Sequence, residues 1–173
     1  DVYVMGANPV GLISDVHISD DGDVAKLFDY TAGITTVSDA LGVPLIAGST
    51  LRIGGDMVIG ERMTGCVGVV GVASHVTARS ATAPGDVLLM TEGSGGGTIC
   101  TAALYSGNSE VVSETINLHF LKACDRLIHS DVFPHIHSMT DVTNGGLRGD
   151  VHEIADTAKC TVVVEDEPLR GLI

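Results

Sequence analysis

The chain has 173 residues and a mass of 17.8 kDa, which suits one full domain or two partial ones. Apolar residues make up 45% and mean hydropathy is +0.35, yet glycine or a charge breaks every apolar run short of the roughly 18 residues a membrane span needs, so a membrane-spanning helix is excluded. Nine Lys and Arg against 22 Asp and Glu give −13, and aromatic residues are only 3% with no Trp, which disfavours nucleic acid, anionic lipid and aromatic-anchored interfaces.

A phosphorylated ligand must therefore be held through metal ions or backbone N–H groups. Cys66, Cys100, Cys124 and Cys160 are widely separated, without a CxxC pair or signal peptide, and read as reduced thiols of a cytoplasmic protein. The chain opens at Asp1 without Met and closes at Gly171-Leu172-Ile173, which predicts an internal piece of a longer polypeptide.

In chain order, Val2 to Ile13 reads as a helix end, a turn at Gly6-Ala7-Asn8-Pro9 and a strand. Ser19 to Asp23 caps a helix whose apolar residues run from Val24 to Leu41 and stop at Gly42-Val43-Pro44, followed by a short buried strand over Leu45 to Ala47. The alternation of small and β-branched residues from Asp56 to Val76 predicts strands packed against a helix layer. Thr77 to Pro84 is short and polar, and predicts a linker.

Val87 to Met90 reads as a strand leading into the glycine-rich turn Gly93 to Gly97, then helices over Thr98 to Tyr105 and Ser113 to Ile128. Ser138 to Thr143 leads through Asn144-Gly145-Gly146 into a helix from Leu147 to Ala158, and Thr161 to Val164 closes as a strand. The order is α/β on both sides of the linker.

Four places carry candidate chemistry. Asp141, at the end of a strand and followed by Thr143, Asn144, Gly145 and Gly146, can hold a divalent cation while helix-opening N–H groups face phosphate oxygens; the competing reading is that Asp141 and Asn144 cap the helix. Gly93 to Gly97 resembles a phosphate cradle in composition, but a flexible turn explains it as well. Gly48-Ser49-Thr50 offers an exposed strand end with a hydroxyl, or a simple turn. Asp1, with Asp15 and His17 placed two apart on one strand face, offers carboxylates and an imidazole for a cation. His135 and His137 alternate in a strand-like way without further ligands in view, and no nucleophile elbow or Cys/His arrangement favours covalent acyl catalysis.

Asp141-Val142-Thr143-Asn144-Gly145-Gly146-Leu147 followed by His152-Glu153-Ile154-Ala155 resembles the D-x-T-x-G-G-L…E-I-A segment of the aminoimidazole ribonucleotide (AIR) synthetase superfamily. That superfamily includes selenophosphate synthetase, thiamine monophosphate kinase and the hydrogenase-maturation dehydratase. Three further segments fall in matching order: Asp1 with Met5-Gly6-Ala7-Asn8-Pro9, then Gly48-Ser49-Thr50, then Ala83-Pro84-Gly85-Asp86 with Gly93 to Gly97. None of the characterised members' full patterns is present, so an uncharacterised synthetase-related branch is implied.

The resemblance implies an α/β (α+β) two-domain fold with each domain partial. Residues 1–80 would be the C-terminal part of the dimer-barrel, ATP-binding domain, and residues 81–173 the N-terminal part of the second α/β domain. It also implies a homodimer, ATP and Mg2+ as cofactors, and phosphoryl transfer to a small-molecule or protein-bound acceptor through an amide or carbonyl oxygen. Asp1 and Asp141 would be metal ligands, with Asp141 also catalytic; Gly48, Ser49, Thr50, Thr143, Asn144, Gly145 and Gly146 would contact the nucleotide. Ser49 stands where the family carries an acidic residue or histidine, so a non-catalytic nucleotide-binding or scaffold member is the alternative. A packing or assembly module without ligand is a third reading.

Overall fold

A computed structural model describes residues 1–19, 24–53, 63–91, 102–103, 105–108, 118–142 and 145–165. The chain divides into two compact units. One comprises Asp1, Tyr3–Ala7 and Ala73–Ile173; the other comprises Val2 and Asn8–Val72. Among the described residues, no helix is long and apolar enough to cross a membrane.

The Asn8–Val72 unit is a βαβ crossover with a third strand. Strand β1 (Ala7–Ser19) leads to helix α1 (Val24–Leu41), which returns the chain to β2 (Leu45–Ile53), parallel to β1; β3 (Met63–Ala73) lies on the other side of β1, giving the order β2-β1-β3. The α1 stop falls where the sequence predicts it: past Gly42, the Val43 N–H reaches back to the Ser38 carbonyl at 3.0 Å, the bonding pattern of a Schellman closure.

Strand β2 departs from expectation. It is longer than Leu45 to Ala47 and mostly exposed, and the ladder to β1 continues Ser14↔Gly48, Asp15↔Ser49 and Val16↔Thr50. Gly48-Ser49-Thr50 therefore lies within the strand, not at its exposed end. A ladder is made by backbone groups, which a turn-like composition does not interrupt, and as an edge of the three-stranded sheet β2 pairs its backbone with β1 on one side only.

The unit containing Ala73 onward is laced by polar bonds. The N-terminal 3-10 turn Tyr3–Met5 ends at Gly6, whose φ of +75° bends the backbone beneath the His75 carbonyl; a Cβ there would meet that oxygen and stand 2.9 Å from the Phe133 ring. Thr77 is fully buried and joins three segments: its hydroxyl donates to the Val4 carbonyl at 2.9 Å, its N–H to Met5, and its own carbonyl accepts from the Met139 N–H at 3.0 Å. The His75 ring bonds the Ile136 carbonyl at 2.8 Å and meets Phe133 edge-on at 5.3 Å. Thr77 to Pro84 is thus packed structure rather than a free polar linker, because each of its hydroxyls that faces inward finds a partner.

Two of this unit's helices are α2 (Leu118–Ile128) and α3 (Gly146–Ala158). Helix α2 buries Cys124, and the Tyr3 hydroxyl donates to Asp125 on it at 3.3 Å. Helix α3 buries Asp150 and Ile154 and packs on the 3-10 turn Arg79–Ala81. It closes at Lys159, held at φ 54° with its ammonium on Asp156 at 2.9 Å.

Val87 to Met90, residues 138–142 and Thr161 to Val164 join no ladder among the described residues, so Asp141 does not end a strand. Apolar composition supplies side chains for a sheet but not the partner backbone that a ladder requires. His135 lies in the 3-10 turn Phe133–His135, with Pro134 supplying the helical φ, not on a strand. Gly93 to Gly97, Thr143 and Asn144 lie outside the described residues.

Candidate metal and phosphate site

A cleft of about 390 Å³ in the Ala73–Ile173 unit is lined by Asp1, Met5, Arg79, Thr140, Asp141 and Glu153, among others. Residues from the two ends of the sequence meet here because Thr77 bonds both the 3-10 turn after Asp1 and the segment before Asp141. Asp1 and Asp141, the two acids that the resemblance assigns to metal, line the same cleft. The helix-capping alternative is not what the structure shows for Asp141: the N-cap of α3 is Gly145, and no side chain caps it.

Arg79 organises the wall. Its Nη2 donates to Thr140 Oγ1 at 2.6 Å and to Asp150 Oδ1 at 3.2 Å, while Nη1 lies 3.4 Å from Glu153 Oε2. Thr140 Oγ1 in turn donates to the Asp141 carbonyl at 3.2 Å. Arg79, Asp150 and Glu153 line or brace this wall although no motif in the sequence marks them as site residues. One signal was present: Asp150 lies four positions before Ile154, on the stripe of α3 that points inward, where an unpaired charge would be costly.

Gly145 and Gly146 open α3. Gly146 has φ +59°, a conformation that side-chain-bearing residues avoid, so the glycine is required by the backbone independently of any ligand. Gly145 also lines a second cleft of about 560 Å³ with Arg148, Gly149, His152 and Val162. Gly48, Ser49 and Thr50 belong to the other unit, where Asp15, on the neighbouring strand, is the register partner of Ser49 and bonds His17 at 3.2 Å. Among the described residues, no three His, Cys, Asp or Glu side chains cluster as a metal site.

The Ala83-Pro84-Gly85-Asp86 segment forms a tight turn, with the Asp86 N–H on the Ala83 carbonyl at 3.1 Å and Asp86 Oδ2 accepting from the Ala83 N–H at 2.8 Å. That backbone bond, and then His137 at 2.9 Å, hold the Asp86 carboxyl below its ordinary range. Asp86 is occupied in fixing the turn.

Residues 83–172 match the family described as AIR synthase related protein, C-terminal domain, and the chain belongs to this AIR synthase-related family. An uncharacterized protein of Methanocaldococcus jannaschii is 60% identical over 175 residues, covering 100% of this chain and 39% of that protein. The selenide, water dikinase of Myxococcus xanthus is 29% identical over 175 residues, covering 96% of this chain and 47% of its own length. The crystal structure of hydrogenase maturation protein HypE in complex with ATP superposes with a TM-score of 0.69 at 19% identity, over 91% of this chain and 47% of that one, which shows a shared mixed α/β fold. The chain thus spans less than half the length of these relatives.

Proposed function

We propose that the protein is an ATP-dependent, magnesium-assisted phosphoryl-transfer enzyme of the synthetase or kinase type, activating an amide or carbonyl oxygen of a small-molecule or protein-bound acceptor. The observation that carries this reading is the meeting of Asp1 and Asp141 in one cleft. Magnesium is held in such sites by one or two carboxylates, with phosphate oxygens and water completing its shell, so two acids without a third fit it. Bound there, the ion would neutralise phosphate charge during transfer.

The chain's own groups have separate roles. Asp1 and Asp141 bind the cation. The first-turn N–H groups of α3 lack intrahelical partners and, with Thr143, Asn144, Gly145 and Gly146 that the resemblance assigns to the nucleotide, would donate to phosphate oxygens. Arg79 keeps the surrounding acids compatible by offsetting their repulsion. Gly48, Ser49 and Thr50 contact the nucleotide from the residue 1–80 domain, with residues 81–173 forming the second domain. A cytoplasmic homodimer completes the reading; the solvent-facing apolar side chains of the Asn8–Val72 unit, such as Ile46, Leu51 and Val70, supply a surface for it. The relative solved with ATP supports the choice of nucleotide.

Calorimetric titration of the intact protein with ATP, with and without magnesium, tests this. Binding should require magnesium and weaken at least about 10-fold in Asp141→Asn, no less than the loss of an outer partner of a ligand costs. An intact protein that binds no ATP would overturn the proposal. Magnesium-dependent binding with no turnover under any acceptor would favour the non-catalytic alternative that Ser49 suggests.

A further inference from the structure

Arg79 and Asp150 form an ion pair that stability alone does not explain. Asp150 is 6% exposed while the Arg79 side chain stays about a third exposed at the cleft, so the desolvation cost falls mainly on the carboxylate, and their attraction offsets it fully only if the remaining buried donors and acceptors are satisfied. Here they are not: Arg79 Nε and Asp150 Oδ2 are buried without a hydrogen-bond partner among the described residues. An apolar pair at the same two positions would fill the space against α3 without that penalty.

What the pair does accomplish is visible in the bond sequence. The Asp150 carboxylate accepts from Arg79, Arg79 donates to the Thr140 hydroxyl, and that hydroxyl donates to the Asp141 carbonyl, at 3.2, 2.6 and 3.2 Å. Thr140 and Asp141 join no strand, and among the described residues this chain of bonds holds them, with the Met139–Thr77 and Ser138–Thr82 bonds just before. Hydrogen bonds linked in series polarise and stiffen one another, which converts a charge buried in α3 into a constraint on the backbone of Asp141.

We propose that Arg79 and Asp150 are a positioning pair that clamps the Thr140-Asp141 backbone to α3 and so presents the Asp141 carboxylate to the cation in the cleft. The inference rests on the metal–phosphate reading above. Neither side chain is assigned to chemistry.

The test separates position from stability. In the intact protein, the double variant Arg79→Met/Asp150→Leu should melt no lower than the native protein, because the desolvation cost disappears. Its apparent magnesium affinity at fixed ATP should nevertheless fall about 10- to 100-fold, the usual effect of losing an outer partner of a metal ligand. Amide hydrogen exchange at Thr140 to Val142 should accelerate. Thr140→Val, which keeps the ion pair and cuts only its link to Asp141, should reproduce both changes, and it decides the matter if the double variant does not fold. Native-like magnesium affinity and native-like exchange in the folded variants would overturn the proposal. If the native protein itself binds no magnesium–ATP, the functional reading fails, and the exchange rates alone decide whether the pair clamps Asp141.

Discussion

In the unit that runs from Ala73, polar side chains go inside and are tied: Thr77 is fully buried and bonds two other backbone segments, and Asp150 is buried on Arg79. In the Asn8–Val72 unit the described interior is mostly apolar, with Val16, Ile18 and Val43 buried, while α1 buries none of its described residues, Phe28 is 72% exposed, and Ile46, Leu51 and Val70 are about half exposed on their strands; Val87, Leu89 and Tyr105 of the Ala73 unit are exposed as well. Interior polar bonds are directional and hold particular atoms in place, as a ligand site needs. Exposed apolar surface is non-directional and marks a face that binding can cover.

This contrast can be broken most directly at Gly6. Gly6→Ala must place a Cβ against the His75 carbonyl and the Phe133 ring from a left-handed backbone, which should cost about 2 to 4 kcal/mol, read as a loss in chemical denaturation. A loss below about 1 kcal/mol would show that the turn is less tightly bound than its contacts indicate.

In the other unit the effect should fall on association rather than folding. Ile46→Asp should weaken self-association at least about tenfold in sedimentation while leaving the melting curve of the monomer close to native. Unchanged sedimentation would remove the sheet from the proposed dimer.

A smaller effect is expected at alkaline pH. Burial, and then the negative Asp125, push the Tyr3 hydroxyl from 10.0 up to about 12. A raised folded value favours the neutral phenol in the native state, so its contribution is complete below about pH 10 and is lost as pH climbs toward 12. Melting temperature should therefore drop more steeply over that interval in the native protein than in Tyr3→Phe. The smallest change is Phe28→Ser on the exposed face of α1, which should stay within about 0.5 kcal/mol of native stability by denaturation.

Much of this was legible beforehand where a local signal sufficed. Val24 to Leu41 formed the expected helix with its Gly42 stop, and the helix opening at Gly145-Gly146 began within a residue of its predicted start. The resemblance, carried by four short segments in order, led to the right family and fold. The strands expected over Val87 to Met90 and at Asp141 do not form among the described residues, because pairing depends on a distant partner that composition does not reveal. Arg79 is, in sequence, one cation in a polar stretch; its spatial neighbours Thr140, Asp150 and Glu153 give it a role.

By itself the sequence determined the acidic character of the chain, its main helices, its glycine-dependent turns and its family, all of which rest on charge, backbone conformation and short-range spacing. The tertiary structure decided that Asp1 and Asp141 share a cleft, that Gly48-Ser49-Thr50 lies inside a strand, and that Arg79 and Asp150 meet. Those are distances between residues far apart in the chain, fixed by how buried polar groups find partners when the chain closes on itself, and no local pattern encodes them.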